Sequence, residues 1–239
     1  DMMSRRSIET KHLMDKGFKD EDIKNPFVYH MAKKQAYSLG NAITPIGAAF
    51  YIVPFINAVV RSGIQEEKEL LFNSMLVFRA FDIIPSTKRG CKGQTEQLVD
   101  QAIRTVTNVK ARQTREQDKA MKVLEESIEK NNMMNHKVLL FLLESGEIAP
   151  GLAGLVANKI MAKYQRPCCI LTRGKDESGN EVFQGSARGY NKSGIDSFKE
   201  ICEQSNAIQF AAGHANALGL GILEADVPAF LQYTDEILK

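Results

Sequence analysis

Hydrophobic spacing changes character twice along the chain. Up to about residue 85 the apolar positions recur at helical intervals. Within Glu66 to Phe81 they are Leu70, Leu71, Met75, Leu76 and Phe78, and the mixed stretch Glu21 to Leu39 has Pro26 near a helix start. Ile84 to Gly93, with Pro85, Ser86, Gly90 and Gly93, reads as a loop carrying Lys88, Arg89 and Lys92. From Gln94 to Ser145 there is neither glycine nor proline, and residues 110–119 contain one apolar side chain, Ala111. A helix polar on all sides bridges solvent between domains or is held by charge pairs. As one helix, 95–131 extends about 55 Å at ~1.5 Å per residue.

Beyond it the pattern becomes that of alternating strands and helices. Val138 to Leu143 is an apolar run expected as a buried strand, Gly151 to Tyr164 a helix, and Cys168 to Leu171 a strand. Arg173 to Asn180, with Asp176, Ser178 and Gly179, is a hairpin-type turn. Val182 to Arg188 follows as a strand, Asp196 to Gln204 as a helix, Leu218 to Leu223 as a strand and Val227 to Leu238 as a closing helix. The expected fold class is α/β: a mainly helical part over 1–93, a connecting helix over 94–132 and a mixed α/β domain over 137–239. There is no internal repeat and no low-complexity tract.

Composition narrows the class. Apolar residues make up 44% and charged residues 25% of 239 positions, ordinary globular usage. The most apolar stretch, Ile43 to Val60, is broken by Pro45, Gly47, Pro54 and Asn57, short of the ~18–20 residue run of a membrane span. Cys91, Cys168, Cys169 and Cys202 show no Cys-x-x-Cys spacing, so zinc is not expected. The adjacent pair Cys168 and Cys169 reads as small buried hydrophobes. A reducing, cytoplasmic setting fits. The net charge of +2 says nothing about nucleic acid. Arg112, Arg115, Lys119 and Lys122, three and four apart, form one helical stripe. It either touches a nucleic-acid backbone or is a solvated face balanced by Glu116, Glu125, Glu126 and Glu129.

The candidate chemistry lies between residues 185 and 221. Gly185-Ser186-Ala187-Arg188-Gly189 leads, after a helix-length insert, to Ala212-Gly213-His214-Ala215-Asn216-Ala217-Leu218-Gly219. Small residues let a backbone approach a ligand closely. An arginine grips phosphate bidentately and an imidazole N–H donates to the same group. The alternative is a glycine-cornered strand with a core histidine and a solvated arginine at a strand end. His12, His30 and His136 read as surface or capping residues.

These residues carry a resemblance. Gly213-His214-Ala215-Asn216-Ala217-Leu218-Gly219 resembles the Gly-Gly-His-x-x-Ala-Ala-Gly signature of the DHH-associated domain, the second domain of DHH phosphoesterases, with Ala212 and Leu218 departing from it. Gly151 to Lys159, Tyr164 to Leu171 and Gly185 to Arg188 are similar to its other segments, in the same order. Pro54-Phe55-Ile56-Asn57-Ala58-Val59-Val60-Arg61 resembles a motif of RecJ-type single-strand exonucleases, with Phe55 and Val60 departing, and Asn108 to Gln113 resembles their connecting helix. The resemblance implies the helical tail of a DHH catalytic domain, a long connecting helix and a DHH-associated domain. It implies a nuclease that degrades single-stranded DNA 5′ to 3′ with Mn²⁺ or Mg²⁺. Asn57, Arg61, Ser186, Arg188, Gly213, His214 and Asn216 would be its substrate-binding residues. Asp1-Met2-Met3 resembles the last metal-binding aspartate of such enzymes. With no initiator methionine, no Asp-x-Asp and no Asp-His-His, the chain is expected to be part of a longer polypeptide, to hold no metal alone and to be inactive alone. The missing catalytic domain is then a further partner. The alternatives are a non-catalytic module that binds single strands or a protein, and a DHH phosphodiesterase acting on short oligonucleotides.

Overall fold

The computed structural model describes residues 23–40, 43–175, 179–191 and 196–238. By internal contacts the chain divides into two compact units, 1–114 and 115–239.

In the first unit, α1 (Pro26–Lys34) begins with proline in its first turn, where the missing N–H costs nothing, and Asn25 accepts from Val28 N at 3.2 Å. Thr44 caps α3 (Pro45–Tyr51) in the same way, after the short α2 (Ala36–Leu39). Then come α4 (Val53–Ser62) and α5 (Gln65–Met75). Pro45–Ser62 is long and apolar enough by composition to cross a bilayer, but Ile52 divides it into α3 and α4. The helix expected to reach Phe81 stops at Met75. Ser74, fully buried, donates to the Leu71 carbonyl at 2.6 Å, and Leu76 turns extended.

The expected loop from Ile84 to Gly93 is flanked by a two-stranded antiparallel ribbon, β1 (Ile83–Pro85) with β2 (Thr95–Gln97). The long helix α6 therefore starts at Leu98 and runs to Lys130, 33 residues. Arg104 binds both oxygens of Glu96 at 2.6 Å, tying the ribbon to the helix. Nor is α6 polar on every side. Val99, Val106, Val109, Gln113, Gln117, Leu124 and Ile128 are buried along it. The buried strip was hidden because glutamines occupy its middle positions; Gln113 donates to Ser62 Oγ at 2.9 Å. Arg112 grips both Glu67 oxygens, at 3.1 and 2.8 Å, and holds that carboxyl below its ordinary range. It thus leaves the proposed basic stripe for an ion pair within the first unit.

The second unit is a five-stranded mixed sheet of order β3-β4-β5-β7-β6. β3 (Leu139–Leu143) and β4 (Cys168–Lys175) are parallel, joined by the crossover helix α7 (Pro150–Tyr164). β5 (Glu181–Arg188), β6 (Phe210–His214) and β7 (Ala217–Ile222) continue it antiparallel. β4 outlasts the expected Leu171, and β6 had no counterpart among the elements expected from the sequence. Asp176 and Ser178 of the expected turn lie outside the described residues. One face packs Leu139, Phe141, Cys168 and Ile170 against Leu152, Val156 and Ile160 of α7. The opposite face packs Leu140, Cys169, Leu171, Phe183, Ala187, Leu218, Leu220 and Ile222 against α8 (Phe198–Gln204) and α9 (Val227–Ile237). Phe198 and Phe230 are fully buried there, each contributing about 1.5–3 kcal/mol. Burial pushes the Cys202 thiol up to about 12, and Cys168 and Cys169 higher still, as expected of packing residues.

Candidate functional site

β6 and β7 form a hairpin whose last pairs are Gly213 with Leu218 and His214 with Ala217, leaving Ala215 and Asn216 as a two-residue loop. His214 is therefore the final residue of a strand, not part of a glycine loop. Gly213 does what only glycine can: its φ is +130°, and a β-carbon would stand 2.9 Å from the Ala217 carbonyl oxygen.

Asn216 uses its amide within the fold. Its Oδ1 accepts from Phe198 N at 3.1 Å and its Nδ2 donates to Asp196 O at 3.1 Å, pinning the loop to the start of α8. Gly189 donates to the Asn216 carbonyl at 3.1 Å, and a β-carbon on it would collide with Asn216 Oδ1. The side chain expected to touch substrate is thus held as a brace.

Paired residues on adjacent strands share a face, so the register assembles the site. On the α7 side, three rows cross β5, β7 and β6: Arg188, Ala217 and His214; Ser186, Gly219 and Ala212; Gln184, Gly221 and Phe210. With strands about 4.8 Å apart, Arg188 and His214 stand ~10 Å apart across Ala217. His214, Ala212 and Ala217 are exposed, so the core-histidine alternative falls away. α7 packs over β4 and β5 on this face and leaves beyond it a trough floored by Ala217, Gly219 and Gly221. Arg188, Ser186 and Gln184 border it on β5, and His214 and Phe210 on β6.

Arg188 lies against α7. A β-carbon at Gly154 would stand 2.5 Å from Arg188 Nη2 and 3.2 Å from Ser186 Oγ, so this glycine makes the bed for the guanidinium. Arg188 Nη1 also donates to its neighbour's carbonyl, Ala187 O, at 2.7 Å. Gly154, Gln184 and Phe210 were not singled out in the sequence. The alternation Phe210, Ala212, His214 was the available signal for β6.

The other expected residues belong to other elements. Asn57 and Arg61 are both exposed, four apart on α4 in the first unit. Arg115, Lys119 and Lys122 are exposed on α6. His30 pairs with Asp100 at 3.2 Å and His136 with Asp235 at 2.7 Å, surface pairs of the kind expected. His12 and Asp1 lie outside the described residues. Among the described residues no three His, Cys, Asp or Glu side chains gather as metal ligands, so these residues offer no donor set for a divalent ion.

No protein-family model matches the chain. It is 34% identical over 224 residues, 93% of its length, to the SPbeta prophage-derived protein of Bacillus subtilis (strain 168) whose name assigns it as a single-strand DNA-specific exonuclease, YorK; the match spans 38% of that relative. The single-stranded-DNA-specific exonuclease RecJ of the same organism is 32% identical over 88 residues, 37% of this chain and 11% of RecJ. Among solved structures, RecJ of Thermus thermophilus in complex with Mn²⁺ superposes with a TM-score of 0.60 at 19% identity, over 92% of this chain and 28% of that one. An exonuclease RecJ bound to manganese gives 0.54 at 20% identity, over 88% of this chain and 44% of that one. The chain thus spans less than half the length of each of these relatives. Over nearly its whole length the chain is thus similar in sequence and in fold to the C-terminal portion of RecJ-type single-strand-specific exonucleases.

Proposed function

We propose that the chain is the strand-handling part of a metal-dependent exonuclease that hydrolyses single-stranded DNA, and that its second unit holds the strand in the trough of the sheet. One observation carries this reading: half-buried Arg188 and exposed His214 share a cross-strand row, separated by a single exposed alanine. A guanidinium and an imidazole N–H so placed donate to the phosphates of one strand, each charge-assisted contact contributing about 1.5–3 kcal/mol. Ser186, one row along, adds a hydroxyl. Gly213 keeps the hairpin tight beneath the strand, and Asn216 acts by positioning. Asn57 and Arg61 offer a second polar patch to the substrate or the catalytic centre. On this reading the divalent ions are held outside the described residues. The names of the relatives favour DNA over RNA.

Hydrogen–deuterium exchange of the 239-residue chain with and without a single-stranded oligonucleotide tests the reading. Protection should concentrate in 184–190 and 210–222. Protection confined to the first unit, or none anywhere, would overturn it.

A further inference from the structure

The third row of the trough differs from the other two. Phe210 does not stand up from β6 but lies across β7. A β-carbon on Gly221 would stand 2.6 Å from its Cδ1, and one on Gly219 would touch its Cε2 at 3.9 Å. Gly221 thus clears the space for the ring, whereas a β-carbon at Gly219 would only reach ordinary contact with it. The ring covers Gly221, which is buried, while Phe210 itself remains 42% exposed. The ring rests against the backbone of Gly221 and is partly open to solvent.

Phe210 shares its strand face with Ala212 and His214. It stands four residues from the histidine, about 13 Å at ~3.3 Å per residue. No bulky side chain intervenes, because the floor between them is Gly219 and Ala212. A strand gripped by its phosphates at Arg188 and His214 and continuing along β7 meets this ring next. Nucleobases have two flat apolar faces, and an aromatic ring presented flat in a basic groove is what such a base stacks upon.

We infer that Phe210 is a base-stacking platform, the point in the trough where the site recognises a nucleobase rather than a phosphate. The inference rests on the strand-binding reading above. It assigns that site a substrate class: single strands with bases, of any sequence, unstacked from a complementary strand. A duplex does not offer a base face to this ring, so Phe210 contributes selectivity for single strands that Arg188 and His214 do not. The competing account is that the ring only covers the backbone bared by Gly221, as aromatic side chains do beside glycines in sheets.

The two accounts separate when bases are removed from the ligand. Dissociation constants would be measured by fluorescence anisotropy for the intact 239-residue chain with labelled oligothymidylate and with an abasic oligomer of equal length. Phe210→Ala should weaken oligothymidylate binding about tenfold, within the range found for stacked bases. It should change abasic binding little, and Phe210→Tyr should restore the loss. Arg188→Ala should weaken both ligands alike. A Phe210→Ala variant that binds both ligands as the parent does, or loses both equally, overturns the stacking platform; if Arg188→Ala still weakens both, strand binding stands. If the parent chain binds neither ligand, both readings fall. Phe210→Leu, which still covers Gly221, keeps the test available if the alanine variant unfolds: it should retain stability and lose the preference for bases.

Discussion

Gly154 lies directly under Arg188: a β-carbon at position 154 would come within 2.5 Å of the guanidinium Nη2. The obstructed atom is the far end of a flexible side chain, so the conflict is resolved by moving the arginine and not by unfolding the helix. Gly154→Ala should leave the melting temperature near that of the parent, since alanine also favours helix. It should weaken single-strand binding several-fold by displacing the phosphate grip. Unchanged affinity would mean that the bedded position of Arg188 does not matter.

Asn216 predicts the opposite balance. Its amide bonds to Phe198 N and Asp196 O, both at 3.1 Å, join the hairpin loop to α8. Asn216→Ala should cost about 1–2 kcal/mol in denaturant unfolding, with the midpoint shifted and the slope unchanged. A stable variant with weakened DNA binding would instead place the amide on the substrate.

The ion pair at the ribbon sets an acid limit. Arg104, with further hydrogen bonds from Ser86 and the Thr87 backbone, holds the Glu96 carboxyl at about 2, below its ordinary 4.5. The folded form binds fewer protons than the unfolded form in that interval, so this contribution is present above pH 4.5 and is lost as pH falls towards 2. Glu67, lowered in the same direction by Arg112, adds to the trend. Glu96→Gln should remove about 1.5–3 kcal/mol at neutral pH and flatten the acid side of the stability profile. A profile of undiminished steepness would assign acid sensitivity elsewhere.

Arg61 is exposed at the last turn of α4. Arg61→Ala should change stability by no more than about 0.5 kcal/mol in thermal unfolding. A larger loss would return Arg61 to a structural role.

Much of the second unit was legible in the sequence because its signals are local. Leu139 to Leu143, Pro150 to Tyr164 and Val182 to Arg188 each carry the apolar run, proline start or alternation of their element. β6 was hidden because Ala211, Ala212 and Gly213 have weak strand preference, and it is pairing with β7 that makes the segment a strand. The ribbon of Ile83 and Gln97 was hidden for a related reason: its partners are separated by a loop with glycines at positions 90 and 93, and pairing is not written in either run alone. Arg188, His214 and Gly213 were singled out from residue type and motif. The bed at Gly154 and the flat ring of Phe210 depend on which residues meet across strands and helices, and no spacing along the chain encodes that.

Strand binding, as proposed, depends on Arg188 and His214 gripping one nucleic-acid strand. The most direct test is a titration of labelled single-stranded DNA with the parent chain, Arg188→Ala, His214→Ala and the double variant, each at two salt concentrations. Each single variant should bind about tenfold more weakly or worse, as loss of one charge-assisted contact requires. The parent should lose affinity steeply with salt, and the double variant less steeply, because fewer phosphates are neutralised. Full binding by the double variant, with the salt dependence of the parent, would contradict the account.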